Sequence, residues 1–206
     1  MVAMNARHMQ LQDDFARIAQ ANIGGEFMSD AALEALQDIA GQTWWRHFDN
    51  RLGLSTEEAL RHAAQPQDRL PVQERLLDDR PEHVIPWGER RPPVEATDPN
   101  NRWGFAMQLP EHSMNLGELY NLSIRRGTLT AEERFKINDH IVQTLIMLRS
   151  LPFPKPLQAV PDIAANHHER LDGRGYPRGL SAEHLGVPDR VLAIADIFEA
   201  LTAADR

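Results

Sequence analysis

The segment at residues 166–180 constrains this chain more than any other part of its sequence. Two adjacent histidines, His167 and His168, precede a loop that contains three glycines and Pro177. Glycine permits positive φ angles that other residues avoid, while proline fixes its own φ and favours an extended Tyr176 before it. The sequence therefore predicts a loop of defined shape, and we interpret it as the functional site.

Composition limits the classes of protein to which the chain can belong. Its 206 residues, 42% of them hydrophobic, suffice for one domain or slightly more with a buried core. The absence of cysteine excludes disulfides and thiolate metal sites. Neither a run of about 20 apolar residues nor an N-terminal signal core is present, so we expect a soluble, cytoplasmic protein without a membrane segment in this chain. The net charge of −8 argues against nonspecific binding of DNA or RNA but permits a small anionic ligand held by arginines.

Proline content divides the chain into three predicted parts. Eight of the 14 prolines lie between residues 66 and 110. We therefore predict an N-terminal helical segment at 1–64, a proline-rich irregular connector at 65–115 and a regular region at 116–206. In the first part, Ser29 should begin a helix that runs to about Phe48.

Apolar periodicity predicts the helices of the last part. A long helix should run from Thr130 to about Leu151, a shorter one should start near Pro161 and lead into the paired histidines, and the last should begin at Pro188. The predicted buried face of the long helix consists of Phe135, Ile137, Ile141, Val142, Leu145, Ile146 and Leu148. No alternating pattern is long enough for a sheet, so the predicted fold class is all-α.

Three separate helices offer side chains that commonly bind metals. His140 lies beside the apolar face of the long helix, and His167 and His168 lie at a helix end. Asp196 is the only charged residue within the apolar stretch 191–198. A lone buried carboxylate costs several kcal/mol unless it is paired or bound to a cation. Imidazole and carboxylate together suit Mn, Fe or Zn, so these four residues form a candidate metal site.

The paired histidines favour two neighbouring metals over one. Adjacent residues on a helix point about 100° apart, so His167 and His168 would reach separate ions more easily than a single ion. Two metals about 3.5–4 Å apart are a common device for activating water against a phosphodiester.

Each candidate also has a structural alternative. His140 could be a boundary histidine, and Asp196 could bond an arginine or a helix end. The paired histidines could cap their helix, whose macrodipole favours positive charge at the C-terminus. A solvated charged face is the alternative for the arginines of the loop, Arg170, Arg174 and Arg178.

The loop resembles the signature of a known family. Residues 167–180 read HHERLDGRGYPRGL and are similar to the motif of HD-GYP domains, a branch of the HD metal-dependent phosphohydrolases. Upstream, GTLT at 127–130 and NDH at 138–140 resemble the segment whose histidine is a metal ligand in that family. Downstream, ADIFEALT at 195–202 resembles the segment that supplies an aspartate ligand. The resemblance covers about residues 116–206.

The resemblance implies a fold, a site and an activity. The fold is the helical bundle of the HD superfamily, with an iron or manganese centre that hydrolyses cyclic di-GMP in bacterial signalling. The implied metal ligands are His140, His167, His168 and Asp196. The implied substrate-binding residues are Arg174, Gly175, Tyr176, Pro177 and Arg206. The Gly-Tyr-Pro loop would also contact a partner signalling domain.

One part of the family pattern is missing. The family takes its name from a His-Asp dyad in an earlier helix, and no His-Asp dipeptide occurs in these 206 residues. No catalytic residue is therefore assigned. We expect an incomplete bundle, without the helix that carries the dyad and without the C-terminal helices, because the chain is a fragment or a dyad-lacking form. Its four ligands would hold one metal, or two if the parent protein supplies the dyad. The alternative hypothesis is a non-catalytic module that binds a cyclic dinucleotide or a partner signalling domain.

Overall fold

The computed structural model of the chain describes residues 2–203. It is mostly helical, with 47% helix, and the described residues form seven α-helices and two small sheets. Contacts divide the chain into two compact units, one built from residues 2–87 and 112–132, the other from 88–111 and 133–203. The predicted three-part division at residues 64 and 115 stays a prediction.

Four helices belong to the first unit, and the one that follows Ser29 begins where the sequence predicts. They are α1 (Val2–Ile23), α2 (Asp30–Ala40), α3 (Thr56–Ala63) and α4 (Glu118–Leu122). The Ser29 hydroxyl accepts a hydrogen bond from the Ala32 N–H at the start of α2, because the first N–H groups of a helix lack partners within it. Leu36 and Ile39, one turn apart on α2, are buried in the core of this unit.

Two antiparallel two-stranded sheets correct the all-α prediction. Strand β1 (Thr43–Arg46) pairs with β2 (Val72–Arg75), and β3 (Val84–Ile85) pairs with β4 (Met114–Asn115). The helix predicted to reach Phe48 instead ends at Ala40 and is followed by a strand. Threonine and tryptophan favour strands, and Gly41, a poor helix former, is the C-cap of α2 before them.

The second unit contains most of α5 (Ala131–Arg149), together with α6 (Val160–Ala165) and α7 (Val187–Thr202). Helix α6 packs against α7. Four residues of the predicted face of α5 are buried: Phe135, Ile141, Val142 and Leu145. Ile137 and Ile146 are exposed, so their predicted burial is wrong.

Helix α7 presents an apolar stripe to solvent. Its exposed members follow a spacing of three and four residues: Val187, Val191, Ile194, Phe198 and Leu201. This exposure separates α7 from an ordinary core helix, although its sequence has the same period. No helix within the described residues combines the length and apolar composition that crossing a membrane requires.

Candidate metal centre

His140 enters the site from helix α5. Its ring Nδ1 contacts the carbonyl oxygen of Ile137, one turn earlier in the same helix. A carbonyl only accepts hydrogen bonds, so Nδ1 carries the proton and Nε2 keeps a free lone pair. Metal-binding histidines are commonly oriented in this way, because the second ring nitrogen fixes the tautomer.

His167 and His168 lie in a turn that directly follows helix α6. The Nδ1 of His167 is 2.7 Å from the carbonyl oxygen of Ala164, which fixes its tautomer as for His140. The centroids of the two rings are only 4.2 Å apart. We expected His167 and His168 to reach two separate metals because adjacent residues on a helix point about 100° apart. That geometry does not apply here, since both residues lie beyond the end of α6.

The three histidines form one cluster. Each of His140, His167 and His168 offers a ring nitrogen, and the three nitrogens lie within 4.8 Å of one another. Nitrogens bound to a common ion at about 2.0–2.1 Å lie at most about 4 Å apart, so small rotations of these rings would allow a shared ligand sphere. After such rotations the three histidines could hold a single ion.

Asp196 lies beside His168 but is not one of the residues whose ligand atoms lie within 4.8 Å of one another. Its Oδ2 is 3.8 Å from Nδ1 of His168, which is too long for a hydrogen bond but within the span of two ligands on one ion. The side chain of Asp196 is 41% exposed. The expectation of a lone buried carboxylate is thus wrong, because α7 is exposed to solvent. Among the described residues, no arginine forms an ion pair with Asp196.

The surroundings of His168 favour its neutral form. Burial lowers its pKa most, the neighbouring His167 and His140 lower it further, and Asp196 opposes the shift. Because only a neutral imidazole has a lone pair to donate, this lowered pKa favours metal binding.

The Gly-Tyr-Pro loop covers one face of the His168 ring. The ring of Tyr176 is stacked on that of His168, and the N–H of Tyr176 donates to the carbonyl oxygen of His168 at 3.3 Å. Burial and the nearby Asp196 raise the pKa of Tyr176, so the phenol stays protonated at neutral pH. Pro177 is buried, and its carbonyl oxygen accepts a hydrogen bond of 2.8 Å from the N–H of Ala106.

The three loop glycines serve two different purposes. Gly173 and Gly179 have φ angles of +73° and +67°, as the sequence suggests. Gly175 does not have a positive φ. A Cβ at this position would lie 2.4 Å from the Cα of Glu169, so Gly175 is required by close approach of two backbone segments.

Several residues that organise the loop were missed by the sequence analysis. Glu169 is only 6% exposed, and its carboxylate accepts the N–H groups of Arg178 at 2.6 Å and Leu180 at 2.8 Å. The Arg178 guanidinium donates to Asp162 at 3.0 Å and to Asn166 at 2.7 Å. The solvated-face alternative therefore fails for Arg178. The available signal was the position of Glu169 directly after the paired histidines.

Two further arginines of the loop, Arg174 and Arg170, lie apart from this network. Arg174 is exposed, and its N–H donates to Asp172 at 3.0 Å. Arg170 is also exposed, with Asp172 at 3.6 Å. Arg206 lies outside the described residues.

Comparisons with known proteins show which family the chain is similar to. The sequence profile of the family described as HD domain matches residues 71–206, well over half of the chain. A Vibrio cholerae 3'3'-cGAMP-specific phosphodiesterase 1 is 63% identical over 41 residues, or 20% of this chain and 10% of that protein. A Thermotoga maritima cyclic di-GMP phosphodiesterase is 36% identical over 80 residues, or 39% of this chain and 22% of that protein.

A third relative is the cyclic di-GMP phosphodiesterase response regulator of Xanthomonas campestris, 52% identical over 42 residues, or 20% of this chain and 11% of that protein. The matched segments thus span between 10% and 22% of the lengths of these three relatives. No solved structure matches the chain significantly.

Proposed function

The chain belongs to the HD domain family, and from this premise we propose that it is a phosphodiesterase that depends on one divalent transition metal. The proposed ligands are His140, His167, His168 and Asp196. The observation that carries the proposal is the convergence of three imidazole nitrogens within 4.8 Å of one another. Relatedness to cyclic dinucleotide phosphodiesterases supports it.

The donor set supports iron or manganese as the metal. Three neutral imidazoles and one carboxylate, without a thiolate, suit these ions. When bound, such an ion would supply a Lewis acid and would lower the pKa of a coordinated water towards neutrality. Four protein ligands support one ion, and a second ion would need ligands from elsewhere.

The chain's own residues would orient the substrate. In this proposal the exposed Arg174 holds a phosphate of the substrate, because a guanidinium makes paired hydrogen bonds to phosphate oxygens. Tyr176 stays protonated and shields one face of His168 from water. Cyclic di-GMP is the first substrate to test and 3'3'-cGAMP the second, because relatives carry both names.

The second candidate function is a non-catalytic module that binds a cyclic dinucleotide or a partner signalling domain through the loop at residues 175–177. The observation that favours it is the absence of a His-Asp dipeptide from the 206 residues. In that case the histidine cluster would shape the loop without turnover.

Metal binding and hydrolysis test the proposal together. The purified chain is reconstituted with Mn²⁺ or Fe²⁺, its metal content is measured, and hydrolysis of both cyclic dinucleotides is assayed. We expect about one metal per chain and turnover of at least one substrate. His168→Ala should lose the metal while helix content by circular dichroism stays unchanged.

His184→Ala is the matched control, because it removes a histidine of the same unit that pairs with Ser181 instead of the cluster. It should bind metal like the unaltered chain. Nucleotide binding without turnover would favour the binding module. Equal metal content in His168→Ala and His184→Ala would refute the proposed site.

A further inference from the structure

Asn166, which immediately precedes the paired histidines, connects two charged side chains. It is only 5% exposed. Its Oδ1 accepts a hydrogen bond of 2.7 Å from Nη2 of Arg178, and its Nδ2 donates one of 2.7 Å to Oδ1 of Asp189. Arginine only donates and a carboxylate only accepts, so the amide of Asn166 has one possible orientation. We call these three side chains the Asn166 bridge.

One end of the Asn166 bridge holds the loop. Arg178 follows Pro177, and its guanidinium also donates to Asp162 on helix α6 at 3.0 Å. Its backbone N–H donates to the buried carboxylate of Glu169. The position of Arg178 therefore fixes the loop that stacks Tyr176 on His168.

The other end of the bridge holds helix α7. Asp189 lies in the first turn of α7, is 8% exposed, and accepts the N–H of Gly186 at 2.9 Å. Asp196 follows seven residues later, which is about two helical turns along the same face. A shift of α7 at Asp189 would therefore move Asp196 relative to His168.

We propose that Asn166, Arg178 and Asp189 are positioning residues for the candidate metal centre. The bridge sets the separation between His168 and Asp196 and the stacking of Tyr176 on His168. The inference rests on the proposed function in so far as the group being positioned is a metal ligand. Stability alone does not explain a buried charged network, because apolar residues of similar volume often stabilise a fold as well or better.

Exchanging the amide of Asn166 with the carboxylate of Asp189 tests the positioning role of the bridge. Asn166→Asp leaves an acceptor for Arg178 but sets a carboxylate against that of Asp189. In Asp189→Asn the side chain keeps only one acceptor oxygen. Its NH₂ group must then face either the NH₂ of Asn166 or the N–H of Gly186, and both of these are donors. The double variant Asn166→Asp/Asp189→Asn restores the hydrogen bonds of the bridge. The new carboxylate accepts from Arg178 and from the new amide, whose oxygen accepts from Gly186.

Metal affinity is the first readout. We expect Asn166→Asp to raise the dissociation constant for Mn²⁺ about 10- to 100-fold, as outer-shell changes commonly do, and the double variant to restore it. Arg178→Lys keeps the charge but loses the fork that reaches both Asp162 and Asn166, and it should weaken binding even if Asn166→Asp does not fold. Glu183→Gln removes one charge at an exposed position of the same unit, and it should bind Mn²⁺ as tightly as the unaltered chain does.

The geometry is measured separately in the metal-free protein. The ring protons of His168 should show an NMR shift caused by the stacked Tyr176, which is lost in Asn166→Asp and recovered in the double variant. If the unaltered chain binds no metal but this pattern holds, the proposed function fails and the positioning role stands. If folded single variants keep both affinity and shift, or the folded double variant recovers neither, the positioning role is overturned.

Discussion

The ring of Tyr176 lies over that of His168 with centroids 4.9 Å apart and planes inclined by 27°. This contact removes one face of the imidazole from water. Burial is the largest cause of the lowered pKa of His168. The loop thus contributes to the charge state of a candidate metal ligand as well as to the shape of the site.

Removing the ring of Tyr176 should raise the pKa of His168 towards its ordinary value. In Tyr176→Ala the imidazole regains water, so the protonated form is penalised less. Tyr176→Phe keeps the covering ring and should leave the pKa of His168 low. NMR titration of the His168 ring protons in the metal-free protein measures the change. Equal pKa values in the two variants would show that Tyr176 is not the source of the burial.

Glu169→Gln should lower the free energy of unfolding without changing the backbone conformation of the loop. The carboxylate accepts N–H groups from Arg178 and Leu180, and an amide NH₂ would face one of these donors. The buried unsatisfied pair should cost about 1–3 kcal/mol of the free energy of unfolding. Urea denaturation measures it, with the exposed Glu183→Gln as the control. A difference of a few tenths of a kcal/mol would contradict this role for Glu169.

Gly175→Ala should be destabilising because its methyl group has no space. The new Cβ would lie 2.4 Å from both the Cα of Glu169 and the N of Arg170, and backbone atoms yield less readily than a flexible side chain. We expect a loss of at least about 1–3 kcal/mol and a lower melting temperature. Gly25→Ala, which has open space around the new Cβ, should melt near the temperature of the unaltered chain.

The long helices and the histidine cluster could be predicted because their signals are local and dense. Helix α5 spans Ala131–Arg149, close to the predicted extent, and the helix before His167 was placed within a few residues. Periodicity identifies an apolar face but does not reveal whether another element covers it. For this reason Ile137 was wrongly assigned to the core, and the exposure of α7 was not foreseen.

Strand β1 and the polar network of the loop could not be derived in the same way. Strand β1 has four residues, too few for an alternating pattern to be distinguished from a helical segment. Arg178 and Asp189 are ordinary surface residue types, and their burial depends on partners up to 23 positions away. Only the folded backbone brings them to Asn166.

The pH dependence of stability should identify the contribution of Asp162. Burial acts to raise the pKa of this carboxyl, but the hydrogen bonds and charges of Arg149 and Arg178 outweigh it, so the pKa is lowered. A group with a lower pKa in the folded state stabilises the fold above its unfolded pKa, about 3.9 for Asp. That contribution is lost as the pH falls below about 4 and through the folded pKa. The deficit of Asp162→Asn relative to the unaltered chain should therefore be larger at pH 7 than at pH 3 in urea denaturation. Asp13→Asn is the control, at an exposed position of α1 for which the described residues provide no ionic partner. Its free energy of unfolding should differ from that of the unaltered chain by the same small amount at both pH values. If the deficit of Asp162→Asn does not change with pH, the ion pairs are not its cause.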